Sequence, residues 1–411
     1  MSATVRATVT RGAFLRSTAG WATALGAGLL RPAGLLAAEE KAATPARAAR
    51  IASFEIGPFI IPPKRVMKTS LASPLASDNV LVRLRTAEGV TGLGEASPFT
   101  SVMGETVASA IAMAQSLAAL VKGKDPFSIP RIVADLDAWA PGNGGLKCAI
   151  ETALWDICGK LTGQPVHRLL GTYRESFETD LTISLEAPEA MAQRAREAVA
   201  AGFRAVKVKV GESPEMDERR LAAVREAIGP DVRIRIDANQ GWTPAEAVLV
   251  CRAIAPLGIE LCEQPVAAWD WAGMKHVRAG SPIPVMADES VHSPHDAIAG
   301  IRHDAMDMIN IKLMKAGGIL RSVQIAQIAE AAGLTCMVGS MSESRLGVTA
   351  GAHVVASQKC IVMTDLDSFV PQAVDPVIGG VTLKGGTLTV PNGPGFGADV
   401  EQDFLAKLRP V

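Results

Sequence analysis

Five charged residues, Lys209, Asp237, Glu263, Asp288 and Lys312, close successive short apolar runs at intervals of 28, 26, 25 and 24 residues. Each interval is about the length of one strand plus one helix. From about residue 178 onward, apolar runs alternate with polar amphipathic segments such as 214–228, which fits such units. Eight strand candidates follow, at 180–185, 204–210, 232–238, 258–263, 283–288, 307–312, 334–339 and 360–366. Strict βα alternation demands a parallel sheet, and this many units favours closure into a barrel. Residues that end the strands of such a barrel converge at its C-terminal mouth, where active sites form.

The chain before the barrel reads differently. Residues 79–85 alternate, Glu88 and Gly89 make a turn, and 90–94 resume the strand pattern, while 106–121 and 149–161 carry helical spacing. With 411 residues the chain exceeds what one core usually holds, so this α+β portion is expected to be a capping domain. The expected division is a leader at 1–48, a capping domain at 49–175, a barrel at 176–370 and a C-terminal segment at 371–411. The β-like run at 381–390 is expected to return to the capping domain.

The leader carries four arginines and no acid through residue 38, and residues 17–30 are uncharged, small and apolar. That run is shorter than the roughly 20 residues a membrane helix needs, so no membrane anchor is expected. Residues 10–16 resemble a twin-arginine signal in which Gly12 replaces the second arginine, and 46–48 give a small-x-small cleavage pattern. Export to the periplasm is the expectation, with a cytoplasmic location if the leader does not function. Lysine plus arginine (41) nearly cancels aspartate plus glutamate (42), and aromatic residues are 4% of the chain, which argues against a nucleic-acid partner. The six cysteines form no CxxC pair and read as buried free thiols.

Three carboxylates on adjacent strands, with no histidine or cysteine among them, make a hard oxygen site suited to Mg2+, with Mn2+ as a substitute, rather than zinc. A single strand-end acid is usually a helix cap; three in phase between two lysines are not accounted for that way. Val206, Val208 and Val210 share one strand face and Lys207 and Lys209 the other, so a barrel sends both lysines inward. A neighbouring cation lowers a lysine pKa, which makes Lys207 a support for Lys209 as a base. Lys312 stands across the barrel. A divalent cation between two such bases suits removal of a proton beside a carboxylate and its return on the opposite face, giving the epimer. The six histidines include no HxH at a strand end, and His353 reads as a core or surface residue rather than a base.

The stretches Val206-Lys-Val-Lys209, Ile236-Asp-Ala-Asn239-Gln-Gly-Trp242, Glu263-Gln-Pro265, Ala287-Asp-Glu-Ser290, Asn310-Ile-Lys312 and Lys315-Ala-Gly-Gly318 resemble the muconate-lactonizing subgroup of the enolase superfamily. The resemblance implies an enolase-like α/β fold, a modified TIM barrel (β/α)7β under an α+β capping domain. It implies Lys209 and Lys312 as acid/base pair, Asp237, Glu263 and Asp288 as Mg2+ ligands, and Lys207 and Asn239 as supporting residues. Capping-domain loops close over substrate in that family, which fits residues 64–77. Asp365-Leu-Asp367 is similar to the aspartate pair that receives the α-ammonium in dipeptide epimerases of the L-Ala-D/L-Glu type, and Gly339-Ser-Met-Ser-Glu343 resembles the segment that holds substrate, through Ser340 and Ser342. The expected activity is epimerization of a dipeptide at the α-carbon of its C-terminal residue. Alternatives within the subgroup are an N-acylamino acid racemase, an o-succinylbenzoate synthase or a muconate cycloisomerase; outside it, a catalytically silent barrel that binds peptides. Homo-oligomerization, the dipeptide's side chains and the lysine that serves the L epimer are not readable from sequence.

Overall fold

The computed structural model describes residues 49–64, 67–71 and 77–411; the expected leader, and with it the export signal, lies outside the described residues. β1 (Ile51–Ile61), β2 (Ser77–Thr86) and β3 (Thr91–Ala96) form an antiparallel meander. The turn between β2 and β3 passes through Gly89 at φ 90°, where a side chain would strain the backbone. Helices Val107–Val121, Ile129–Trp139 and Gly144–Thr162 pack on this sheet through a core that includes Phe54, Val82, Leu117, Leu136 and Leu154. This is a capping domain separate from the barrel.

The barrel opens after a short strand β4 (Ser176–Glu178). Its staves are β5 (Leu181–Ile183), β6 (Ala205–Lys209), β7 (Arg233–Asp237), β8 (Ile259–Glu263), β9 (Val285–Ala287), β10 (Met308–Ile311), β11 (Thr335–Gly339) and β12 (Ile361–Asp365), paired in parallel and in chain order. Every stave but the last is followed by helix, which makes seven βα units and a final strand. The sequence writes several of these helix starts directly: Ser213, Thr243 and Ser293 each accept a backbone N–H with a side-chain oxygen and are followed by proline at the first helical position.

β5 and β12 do not share a ladder, so the barrel is nearly closed rather than closed. Side chains seal the seam: Thr364 Oγ1 donates to Glu178 O at 2.7 Å, Leu366 N donates to Thr179 Oγ1 at 3.0 Å, and Thr182 N donates to Asp367 Oδ2 at 2.6 Å. Inside, the two-residue period stacks layers. Leu261, Met286 and Met337 form a buried apolar plug, with Met308 and Met363 against it. Two residues further along these strands, on the same inward face, stand Glu263, Asp288, Asn310 and Asp365, so the plug is the floor on which the polar site rests.

The C-terminal segment departs from expectation. β14 (Thr382–Lys384) and β15 (Thr387–Thr389) continue the sheet of β4, after β13 (Val377–Gly379) has paired with β16 (Ala398–Val400). The run at 381–390 therefore stays with the barrel. The return to the capping domain is made by β17 (Arg409–Pro410), two residues that pair with β1. All six cysteines are buried and unpaired, as expected. Among the described residues no helix is long and apolar enough to cross a membrane.

Candidate active site

The mouth of the barrel collects the charged residues at the ends of β6 to β10 and of β12. Lys207 Nζ lies 3.0 Å from Asp237 Oδ2, 2.8 Å from Glu263 Oε2 and 2.7 Å from Asp365 Oδ2. Lys209 Nζ meets the same Asp237 Oδ2 at 2.6 Å, so the two lysines of β6 converge on one oxygen. Across the mouth, Lys312 Nζ stands 2.8 Å from Asp288 Oδ2, and Lys315 pairs with Asp288 Oδ1. Asn310 Nδ2 donates to Glu263 Oε1 at 2.8 Å.

Four lysine side chains and four buried carboxylates thus interleave. Burial alone would raise Asp288, but Lys312 and Lys315 outweigh it and hold its pKa well below the usual range. The same contest, with Lys207 and Lys209 winning, keeps Asp237 low. Glu263 goes the other way: burial and Asp237 push it up to about 8 despite Lys207. Burial works against the charged forms of Lys207 and Lys312 too, yet the carboxylates facing them raise both, Lys207 most through Asp237 and Lys312 most through Asp288. The sequence reading of Lys207 as a cation beside Lys209 is compatible with this placement, but Lys207 has a larger task, as counter-charge to three acids.

Asp237, Glu263 and Asp288 each offer an oxygen within 4.8 Å of the others. Glu263 Oε2 and Asp288 Oδ2 are buried, and each meets a lysine ammonium at 2.8 Å. A buried donor set made of three carboxylates alone fits a hard divalent cation.

Asp365 and Asp367 line the same cleft, beyond Lys207. Their outer oxygens, Asp365 Oδ1 and Asp367 Oδ1, share the single hydroxyl of Thr182 at 3.2 and 3.3 Å. One hydroxyl proton cannot satisfy two carboxylates, so acceptor capacity is left facing the cleft. The Lys207 and Lys209 ammoniums override burial and hold Asp365 below the ordinary range, while burial and Asp365 push Asp367 up to about 7. Ser340 reaches the cleft wall, but its hydroxyl donates to Asp365 O at 3.1 Å; Ser342 lines the cleft and donates its N–H to Ser97 Oγ at 3.2 Å. Of the 64–77 loop, Met67, Thr69 and Leu71 line the cleft, and Ser70 Oγ donates to Ala238 O at 2.6 Å; residues 65–66 and 72–76 lie outside the described residues.

The sequence assigned no role to Glu289, Lys315, Asn310 or Thr182, although the first three fall in stretches that carry the family resemblance. Glu289 lines the cleft, accepts from Asn239 Nδ2 at 3.0 Å and leaves Oε2 without a partner; burial, then Asp288, raises it to about 7. Asn239, expected as a supporting residue, also donates its N–H to Asp237 Oδ1 at 2.9 Å, so it orients a carboxylate on each side. Asn310 was findable, since it precedes Lys312 by two on the inward face of β10. Glu289 and Lys315 fall outside the strand period and carried no such signal. His353 is buried away from the mouth, its Nδ1 accepting from His167 N at 3.0 Å, which agrees with its reading as a core residue.

Residues 56–171 match the model of the mandelate racemase / muconate lactonizing enzyme N-terminal domain, and residues 190–404 match that of the enolase C-terminal domain-like family. The chain is 40% identical over 352 residues to an L-Ala-D/L-Glu epimerase of Bacillus subtilis, covering 85% of this chain and 96% of that protein. It is 39% identical over 322 residues to a hydrophobic dipeptide epimerase of Enterococcus faecalis, covering 78% and 91%. Among solved structures, a dipeptide epimerase from Cytophaga hutchinsonii complexed with Mg and the dipeptide D-Ala-L-Val superposes with a TM-score of 0.86 at 36% identity, covering 88% of this chain and 99% of that one.

Proposed function

Because the chain belongs to the mandelate racemase / muconate lactonizing enzyme family of the enolase superfamily, we propose that its site is that of a Mg2+-dependent dipeptide epimerase, an isomerase acting at the α-carbon of the C-terminal residue. The observation that carries this reading is the order of groups across the mouth: Lys209 and Lys312 flank the Asp237, Glu263 and Asp288 cluster, and the Asp365 and Asp367 pair lies beyond it.

Asp237, Glu263 and Asp288 hold Mg2+, which when bound supplies positive charge against the negative charge that develops on the substrate carboxylate. The Asp365 and Asp367 oxygens receive the α-ammonium and so fix the dipeptide end to end. One lysine, as free amine, takes the α-proton from its face; the other, as ammonium, returns a proton to the opposite face. The carbon inverts, and the two lysines exchange protonation states. In the reverse direction their roles exchange as well. Asn239 holds Asp237 by its N–H and Glu289 by its side chain, which keeps both carboxylates in place through the cycle.

The test is α-proton exchange followed by NMR in D2O with Mg2+, comparing dipeptides with their N-acetylated forms. Faster exchange of the free dipeptides is expected. Preference for N-acylated substrates would favour an N-acylamino acid racemase, and no exchange with either would favour a silent peptide-binding barrel. Export through residues 1–48 is also proposed, supported by the arginine-bearing, acid-free leader. Protein recovered from the periplasm should then begin between about residues 38 and 50, and intact chain confined to the cytosol would contradict it.

A further inference from the structure

Resting on the dipeptide reading, the charges in the cleft can be assigned one by one. Among the described residues that line it, the cations are Lys207, Lys209 and Lys312, and each is paired with a carboxylate of the cluster. The anions are Glu289, Asp365 and Asp367, held respectively by Asn239, by Lys207 and by Thr182. The rest of the described lining carries no charge: Thr69, Ser342, Ser368 and Gln372 are polar, while Met67, Leu71, Phe99, Val102 and Met341 are apolar and half-buried, with Met341 Sδ 4.0 Å from Lys312 Nζ. Half-buried apolar side chains gathered in a cleft are what a bound apolar group covers.

We infer that the residue whose α-carbon is inverted carries an uncharged apolar side chain, packed against Leu71, Phe99, Val102 and Met341. Among the described residues of the cleft no cation is free to pair with an acidic side chain here, and a buried unpaired charge is strongly disfavoured. With Asp365 and Asp367 taken by the α-ammonium, a basic side chain would have, among the described residues, only Glu289 to meet it, and would have to displace apolar contacts to do so. Relatives of this chain include both an L-Ala-D/L-Glu epimerase and a hydrophobic dipeptide epimerase, so the family alone does not choose between these side chains.

The experiment holds the N-terminal residue constant and varies the C-terminal one: Mg2+-loaded full chain with L-Ala-L-Leu, L-Ala-L-Met, L-Ala-L-Glu and L-Ala-L-Lys, α-deuterium incorporation read by NMR. Apolar dipeptides should exchange with kcat/KM at least roughly tenfold above the acidic and basic ones. Equal or faster exchange of L-Ala-L-Glu overturns the inference, and so does a preference for L-Ala-L-Lys. Exchange with none of the four, or with N-acetylated forms alone, instead overturns the dipeptide reading beneath it. Leu71→Arg should shift the ratio of L-Ala-L-Glu to L-Ala-L-Leu toward the acidic dipeptide, and an unchanged ratio removes Leu71 from this wall.

Discussion

Asp365 and Asp367 stand two residues apart and are engaged differently. Asp365 Oδ2 neutralises Lys207, whereas Asp367 Oδ2 accepts the Thr182 N–H in the barrel seam. Asp367→Asn therefore removes charge from the proposed ammonium subsite and leaves the lysine network whole. Its kcat/KM for free dipeptides should fall roughly 10- to 100-fold, the loss of one charge-assisted contact, and fall less for N-acetylated dipeptides. Equal losses would assign Asp367 to the seam alone. Asp365→Asn should also unfold more readily, because it leaves a buried ammonium with one partner fewer; a thermal melt separates the two variants. The residues that end strands were legible because a 24- to 28-residue spacing and a two-residue period point them to one place. Lys315 and Glu289 were not, since a residue just past a strand has no period to betray its direction.

At the level of elements, the capping domain holds the loop at residues 340–343 through one carboxylate. Glu95, at the end of β3, accepts from Asn79 Nδ2 at 2.7 Å, Ser344 N at 2.8 Å, Gly347 N at 2.9 Å and Ser344 Oγ at 2.5 Å, and so caps the helix Arg345–Ser357 directly after residues 340–343. A glutamine offers one acceptor oxygen in place of two. Glu95→Gln should cost about 1–3 kcal/mol and raise KM more than it lowers kcat; an unchanged Tm would contradict this. The same helix carries His353, whose pKa burial lowers to about 3. A base depressed in the fold contributes stability that is complete above its unfolded value, about 6.5, and is lost as pH falls toward 3. Melts between pH 7 and 4 should show a steeper decline for the wild type than for His353→Asn. The staves of the barrel were readable from sequence to within a few residues. The C-terminal strands were not, because β14 and β15 are three residues each, and which sheet such a short hairpin joins depends on what is already open beside it.

For the whole molecule, the three carboxylates tie stability to metal. Without metal Glu263 titrates near 8, above its ordinary value, so this group's contribution to stability is complete below about 4.5 and fades as pH rises toward 8. Binding Mg2+ needs the carboxylate, so it should release a proton at pH 7, and the Mg2+-induced rise in Tm should be larger at pH 8 than at pH 6. Equal rises at both would mean that Glu263 is not a ligand. The central claim is that two lysines on opposite faces of one carbon carry the reaction, and exchange in D2O by single-lysine variants tests it most directly. Lys209→Ala and Lys312→Ala should each lose epimerization in both directions, and any α-deuterium exchange that survives should be confined to one epimer, the opposite one in the two variants. Epimerization retained by both variants, or exchange of the same epimer by both, would contradict it.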